Sequence, residues 1–150
     1  MLECTDKKIL KTYFSSSLEE TKQYGAKFSH FLKKGDILAF FGEIGSGKTS
    51  FIKGLISYKK KIKEEQINSP TFTYLNIYEG KLPFYHFDLY RLQQAQDFYL
   101  MGFDDFFSSS GICLIEWAKR LSSLPKGTIE IHIKHISFNK REIIIYKKNE

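Results

Sequence analysis

The chain has 150 residues, 42% of them hydrophobic and 16% aromatic, and a net charge of +6. That length and apolar content suit one domain spanning 1–150 with its own core, and they exclude a disordered chain. Two cysteines, Cys4 and Cys113, exclude a disulfide scaffold, and no apolar run approaches the roughly 20 residues that a membrane-spanning helix needs.

The first eight residues carry no apolar signal core, so a cytoplasmic protein with no membrane partner is expected. The positive charge admits RNA or an acidic protein as a partner. However, the lysine clusters Lys33-Lys34, Lys59-Lys60-Lys61 and Lys147-Lys148 read as solvated helix ends and loops.

In chain order, Ile9 to Phe14 reads as an edge strand and Ser15-Ser16-Ser17 as a turn and cap. Ser17-Leu18-Glu19-Glu20 has the capping-box pattern. Leu18, Tyr24, Phe28, Phe31 and Leu32 then fall on one side of a helix that ends at Lys33-Lys34-Gly35.

Asp36 to Phe41 is an apolar strand leading into Gly42-Glu43-Ile44-Gly45-Ser46-Gly47-Lys48-Thr49-Ser50. Phe51, Ile52, Leu55 and Ile56 follow on one face of a helix. The spacing Gly42-x4-Gly47-Lys48-Thr49 is that of a phosphate-binding loop. Glycines let backbone N–H groups curl around an anion, and the helix start adds the positive end of its dipole. Lys48 is expected to reach the β- and γ-phosphates, and the Thr49 hydroxyl to bind Mg²⁺. The plain alternative is a glycine turn beside a chance lysine. The flanking strand and helix argue against it.

Lys59 to Glu65 reads as a loop or frayed helix end. In Ile67 to Thr73, Pro70 holds Ser69 extended, and the segment reads as a loop into a strand. The other reading is a switch whose hydroxyls, Ser69, Thr71 or Thr73, sense the γ-phosphate. Tyr74–Tyr78 and Leu82–Tyr90 around Glu79-Gly80-Lys81 predict a hairpin, which makes the sheet mixed and leaves Asp88 at a strand end. A helix is predicted over about 93–101 and a short one at Asp104 to Phe107.

Gly111 to Trp117 is a continuous apolar run ending in Glu116, the form of a buried parallel strand with a carboxylate at its ligand-binding edge. This is the Walker B arrangement with Glu116 for the commoner aspartate, and one carboxylate plus Thr49 suffices for Mg²⁺. Cys113 within the run reads as a buried thiol. The tail alternates Ile129, Ile131 and Ile133 against Glu130, His132 and Lys134, then turns through 138–142 into Ile143 to Tyr146, a second hairpin. Asn139-Lys140-Arg141-Glu142 is only superficially a guanine-reading motif. His30, His86, His132 and His135 lack zinc-ligand spacing, and read as packed or exposed on a helix (His30), within a strand (His86) and facing solvent (His132 and His135).

Taken together, the loop, Ser69-Pro70-Thr71-Phe72-Thr73, His86-Phe87-Asp88-Leu89-Tyr90-Arg91 and Ile115-Glu116-Trp117-Ala118 resemble the bacterial TsaE (YjeE) family over about residues 10–146. The resemblance implies a P-loop NTPase-like three-layer α/β fold, with a mixed parallel/antiparallel sheet and flanking helices. It implies a Mg²⁺-dependent ATP hydrolase that supports threonylcarbamoyladenosine formation in tRNA with the TsaD–TsaB pair, without itself transferring the threonylcarbamoyl group. Carried over, Gly45, Ser46, Gly47, Lys48, Thr49 and Ser50 bind the phosphates of ATP, and Thr49 and Glu116 hold Mg²⁺. Lys48 and Asp88 are the catalytic pair, with Asp88 orienting or activating water. Lys119 departs from the family pattern, which often has an acid there. Trp117 either stacks near nucleotide or partner, or packs at the strand end.

Two rival functions share this pattern, a small-molecule or nucleoside kinase and a nucleotide-gated interaction module. A kinase usually needs an arginine-rich lid, and the three arginines, Arg91, Arg120 and Arg141, are not clustered. None is an obvious arginine finger, although Arg91 is a candidate, so a weak hydrolase without partners is expected. Adenine contacts are not coded by a motif; 13–16 and the terminal hairpin are the candidate regions. Direct tRNA contact stays open.

Overall fold

The structure is a computed structural model, and it describes residues 7–70 and 72–148. The expectations for Cys4 and Thr71 lie outside the described residues. Chain order runs β1 (Lys7–Ser15), α1 (Leu18–Ser29), β2 (Ile37–Phe41), α2 (Lys48–Lys60), β3 (Leu75–Tyr78), β4 (Phe84–Asp88), α3 (Ala95–Leu100), β5 (Ile112–Glu116), β6 (Ile129–His135) and β7 (Arg141–Lys148). Short 3₁₀ turns lie at Glu64–Gln66, Phe103–Ser108 and Ala118–Arg120.

The strands form one sheet in the order β1-β7-β6-β2-β5-β4-β3. The β6-β2-β5-β4 centre is parallel, and β1, β7 and β3 are antiparallel to their neighbours. The centre is parallel because β2 and β5 are unbroken apolar runs that need cover on both faces. One core layer joins Phe28, Phe51, Ile52 and Leu55 of α1 and α2 to Leu38, Phe40 and Leu114. The other joins Phe98 of α3 and Leu121 to Ala39, Phe87 and Ile115. The result is the mixed, three-layer α/β architecture that the sequence predicts. Both expected hairpins form, as β3–β4 and β6–β7.

The two helices on the first face touch backbone to backbone. A Cβ on Gly25 would lie 2.1 Å from the Phe51 carbonyl oxygen, and one on Gly54 would lie 1.9 Å from that of Lys22. Glycine at these two positions therefore sets the distance from α1 to α2, and α2 begins at the glycine-rich loop.

Local expectations need three corrections. First, α1 stops at Ser29, because His30, Phe31 and Leu32 tighten into i→i−3 bonds. Phe31 beyond it (59% exposed) and Leu18 at its first position (49% exposed) are not core residues. Second, the cap at Ser17 accepts from the Glu20 N–H at 3.0 Å, but the Glu20 carboxylate accepts from Ser16 rather than Ser17. Third, Lys147 and Lys148 lie in β7, not in a loop. The charged run after Tyr58 is the end of α2 and a loop, as expected, with Lys61 at φ 56° ending the helix. Cys113 is buried as expected, and burial pushes its thiol up to about 12. No helix among the described residues is long and apolar enough to cross a membrane.

Candidate functional site

At the C-terminal ends of the central strands, β2 ends at Phe41 and the chain turns through the glycine-rich loop into α2. Gly47 takes φ 113°, a left-handed conformation that L-residues rarely adopt, and it leaves Lys48 and Thr49 as the first residues of α2. Lys48 Nζ folds back over the loop and donates to the Gly42 carbonyl and, at 3.1 Å, to that of Glu43. It also lies 4.6 Å from the Trp117 ring centre. Burial lowers the Lys48 ammonium below its ordinary value, opposed by the nearby Glu116 and Asp88. Ser46 Oγ is buried without a hydrogen-bond partner.

The β4–β5 register sets Asp88 directly beside Glu116 at adjacent strand ends. Both point to the α2 face. Thr49 Oγ1 donates to Glu116 Oε1 at 3.2 Å, and Ser69 Oγ donates to Glu116 Oε2 at 3.0 Å. The two hydroxyls lie 3.3 Å apart. His86, two residues before Asp88 on the same face of β4, places Nε2 at 2.7 Å from Glu116 Oε2. Burial raises the Glu116 carboxyl, but the bonds from His86, Ser69 and Thr49 outweigh it and hold it below the usual range. Asp88 has only the Tyr90 N–H, at 3.0 Å, and burial holds it above the usual range.

A cleft of about 330 Å³ runs from Leu18 and Arg141 past the glycine-rich loop to Ser69, Asp88 and Glu116. A second cleft of about 540 Å³, lined by Phe41, Gly42, Glu43, Ile44 and Lys119, shares Trp117 with it. The first contains all the sequence-predicted site residues: Gly45, Ser46, Gly47, Lys48, Thr49, Ser50, Asp88 and Glu116.

The structure brings three more residues to the site, two of which, His86 and Arg141, sequence reading did not assign to it. Ser69, one of the three hydroxyls of the switch reading, lies in a loop that leads into β3, as the plain reading has it, and reaches Glu116 from there. Thr73 instead donates to the Leu75 carbonyl at 3.4 Å in solvent. His86 is fully buried against Glu116, and its spacing of two from Asp88 in an alternating strand is the signal that places both on one face. Arg141 is 8% exposed, and its Nε donates to the Ser46 carbonyl at 2.8 Å across 95 residues of chain. No local signal marks it. Arg91, the arginine singled out from sequence, is exposed with its guanidinium 4.6 Å from the Phe72 ring centre. His132 does not simply face solvent. It stacks on Phe41, with ring centres 4.6 Å apart, and meets Glu130 at 3.0 Å. His135 is exposed, but its Nε2 reaches the Gly45 carbonyl at 2.9 Å.

The oxygen donors around Glu116, two hydroxyls and a carboxylate, suit a hard divalent cation such as Mg²⁺. Among the described residues no cluster of three His, Cys, Asp or Glu side chains could hold a metal by itself. A cation here would thus need oxygens from a bound ligand and water.

A mixed α/β sheet whose central strand feeds a Gly-x4-Gly-Lys-Thr turn and helix defines a protein of the P-loop-like class. Residues 15–143 match the family model described as "Threonylcarbamoyl adenosine biosynthesis protein TsaE". The chain belongs to the TsaE family. It is similar to the tRNA threonylcarbamoyladenosine biosynthesis protein TsaE of Treponema pallidum (strain Nichols), at 38% identity over 87% of this chain and 96% of that one. It is also similar to the protein of the same name from Bacillus subtilis (strain 168), at 39% identity over 83% of this chain and 78% of that one. The crystal structure of Bacillus subtilis YdiB superposes with TM-score 0.72 at 32% identity, covering 95% of this chain and 88% of that one. The family role is in tRNA threonylcarbamoyladenosine biosynthesis.

Proposed function

We propose that this chain binds ATP with Mg²⁺ and hydrolyses it in association with a TsaD–TsaB pair, supporting the tRNA modification without transferring the threonylcarbamoyl group itself. The observation that carries this reading is the Thr49–Glu116–Ser69 oxygen cluster, standing at the end of a loop whose lysine is satisfied only by the loop's own carbonyls.

The residues of this chain divide the work. Backbone N–H groups of Gly45 to Ser50 and the start of α2 cradle the phosphates. Lys48 exchanges the Gly42 and Glu43 carbonyls for β- and γ-phosphate oxygens, a shift its unbranched side chain allows. Thr49 and Glu116 would hold Mg²⁺, which would supply charge neutralisation on the phosphates, and Ser69 and His86 steady the second Glu116 oxygen. Asp88 orients the attacking water and accepts its proton.

The expected low intrinsic rate follows from the arginines. Arg141 donates to the Ser46 carbonyl, Arg91 lies over the Phe72 ring, and Arg120 lies 6.0 Å from the Tyr90 ring centre, so each of the three guanidinium groups already has another neighbour. A partner would supply the missing positive charge or close the cleft.

The test is Mg²⁺-dependent ATP hydrolysis by the chain alone, then with its own TsaD–TsaB pair. A slow basal rate that rises at least tenfold with the pair supports the proposal. Tight ATP binding with no stimulation would overturn the partnered hydrolase in favour of a binding module.

A further inference from the structure

Six lysines lie at the β1–β7 edge of the sheet, and strand alternation divides them: Lys8, Lys11, Lys33 and Lys147 belong to the face that carries Phe28 and Phe31, whereas Lys7 and Lys148 belong to the opposite face, beside Ile9 and Tyr146. Lys7, Lys8 and Lys11 come from β1, Lys147 and Lys148 from β7, and Lys33 from the turn after α1. The β1–β7 register sets Lys7 directly opposite Lys148 and Lys8 directly opposite Lys147. Like charges facing each other across a strand pair are destabilising. Glu130 answers Lys7 alone, at 2.9 Å, and among the described residues no carboxylate pairs with Lys8, Lys11, Lys33, Lys147 or Lys148.

Lys11, Lys33 and Lys147 rim one groove of about 310 Å³ floored by Leu10, Phe28 and Phe31. The acid lining it, Asp36, is turned to the Lys33 N–H at 2.9 Å. Lys11 Nζ lies 5.1 Å from the Phe31 ring centre, and that ring is 59% exposed. The groove lies at the N-terminal ends of β2 and β6, beside Asp36 and Ile129, whereas the nucleotide cleft lies at their C-terminal ends.

We propose that the groove face of this edge binds the sugar–phosphate backbone of RNA, with tRNA as the partner. The surface concentrates positive charge that the fold does not neutralise, which is the electrostatic footprint of a phosphate-binding face. Every cation in it is a lysine, a point charge on a flexible stem. It thus lacks the arginine forks that would read carboxylates or base edges in two-pronged fashion. Phe31 beside Lys11 adds an exposed ring on which an unpaired base can stack. An acidic protein segment would use the charge but not the ring. The family's role in tRNA modification makes the RNA a tRNA.

The probe is a fluorescently labelled, unmodified tRNA transcript, titrated with the full chain at about 50 and about 200 mM salt. The charge-reversed pair Lys11→Glu/Lys147→Glu should bind at least about tenfold more weakly at low salt, with a salt slope shallower by about one to two. The control Lys81→Glu/Lys126→Glu makes the same charge change at exposed positions elsewhere and should stay within about twofold. Lys147→Glu alone should melt at the same temperature or higher, since it removes the repulsion with Lys8; a purely structural role would lower it. ATP binding by the variants, read separately, should not change, so failure here leaves the nucleotide proposal standing. Equal weakening by the control pair, or no binding by the parent chain at low salt, overturns the assignment. So does loss of binding to a partner protein instead of RNA in the Lys11→Glu/Lys147→Glu variant.

Discussion

His86 Nε2 lies 2.7 Å from Glu116 Oε2, with both side chains buried. Nδ1 of the same ring is buried without a partner, so the tautomer with the proton on Nε2 leaves a bare lone pair there rather than a stranded N–H. His86 therefore donates to Glu116 and fixes the carboxylate that also receives Thr49 and Ser69. His86→Ala should cost about 3 kcal/mol in urea unfolding, because it takes from a buried carboxylate the shortest of its three hydrogen bonds. It should also weaken Mg²⁺-dependent nucleotide binding by about tenfold or more. Glu116 is held low in the folded state, so its stabilisation is present above the carboxyl's unfolded pKa and is lost as pH falls through the lower folded value. The acid-unfolding midpoint of His86→Ala should move to higher pH. An unchanged midpoint and stability would remove His86 from this role.

Asp88 has the opposite balance. Burial raises its carboxyl, so the ionised form costs folding stability above the folded value, and that cost fades as pH falls through it. Asp88→Asn should therefore melt at a higher temperature near neutral pH while hydrolysis falls about a hundredfold. A lower melting temperature would mean that Asp88 is a structural acid and not a strained functional one.

The glycine-rich loop, the two hairpins and the acid at the end of β5 were legible because each is a local pattern: fixed spacing, period-two alternation, or an apolar run closed by a carboxylate. The contacts that complete the site were not. Ser69 reaches Glu116 across 47 residues, His86 across 30, and Arg141 reaches Ser46 across 95, and nothing local encodes a contact of that kind. The register of β4 on β5 puts His86 and Asp88 beside Glu116, and register follows from the packed sheet. The end of α1 was misplaced for the same reason. Phe31 and Leu32 continue the helical spacing, but the chain leaves the helix to reach β2.

Trp117 is the only tryptophan in the chain, and it lies under Lys48 Nζ. If Lys48 leaves the loop carbonyls for phosphate, the cation leaves the indole too. Adding ATP with Mg²⁺ should then change the Trp117 emission in a saturable way. Lys48→Ala should weaken binding about a hundredfold, and with it erase the change at the same ligand concentration. An emission change that persists in Lys48→Ala at unaltered affinity would place the nucleotide elsewhere.

The α1–α2 contact predicts a loss of stability that any added methyl would cause. Gly54→Ala would put Cβ 1.9 Å from the Lys22 carbonyl oxygen, which is backbone and cannot swing away. The helices must part, costing about 3 kcal/mol or more in denaturant unfolding. A neutral Gly54→Ala would show that the two helices are not in backbone contact.

Arg141 ties the start of β7 to the loop. Its Nε donates to the Ser46 carbonyl, and its side chain would lie 3.3 Å from a Cβ at Gly47, so it braces the turn at Ser46 and Gly47. Arg141→Ala leaves that buried carbonyl without its donor and frees the loop. KM for ATP should rise about tenfold, with kcat falling less, because the loop's position and not the reacting atoms is disturbed. Arg141→Lys should not restore it: an ammonium at the end of a flexible stem does not reproduce the planar Nε–H that reaches Ser46 from the side of the chain. Full rescue by lysine would show that charge alone, and not this bond, is what the loop requires. A fall in kcat at constant KM would instead make Arg141 a group acting on the transferred phosphate.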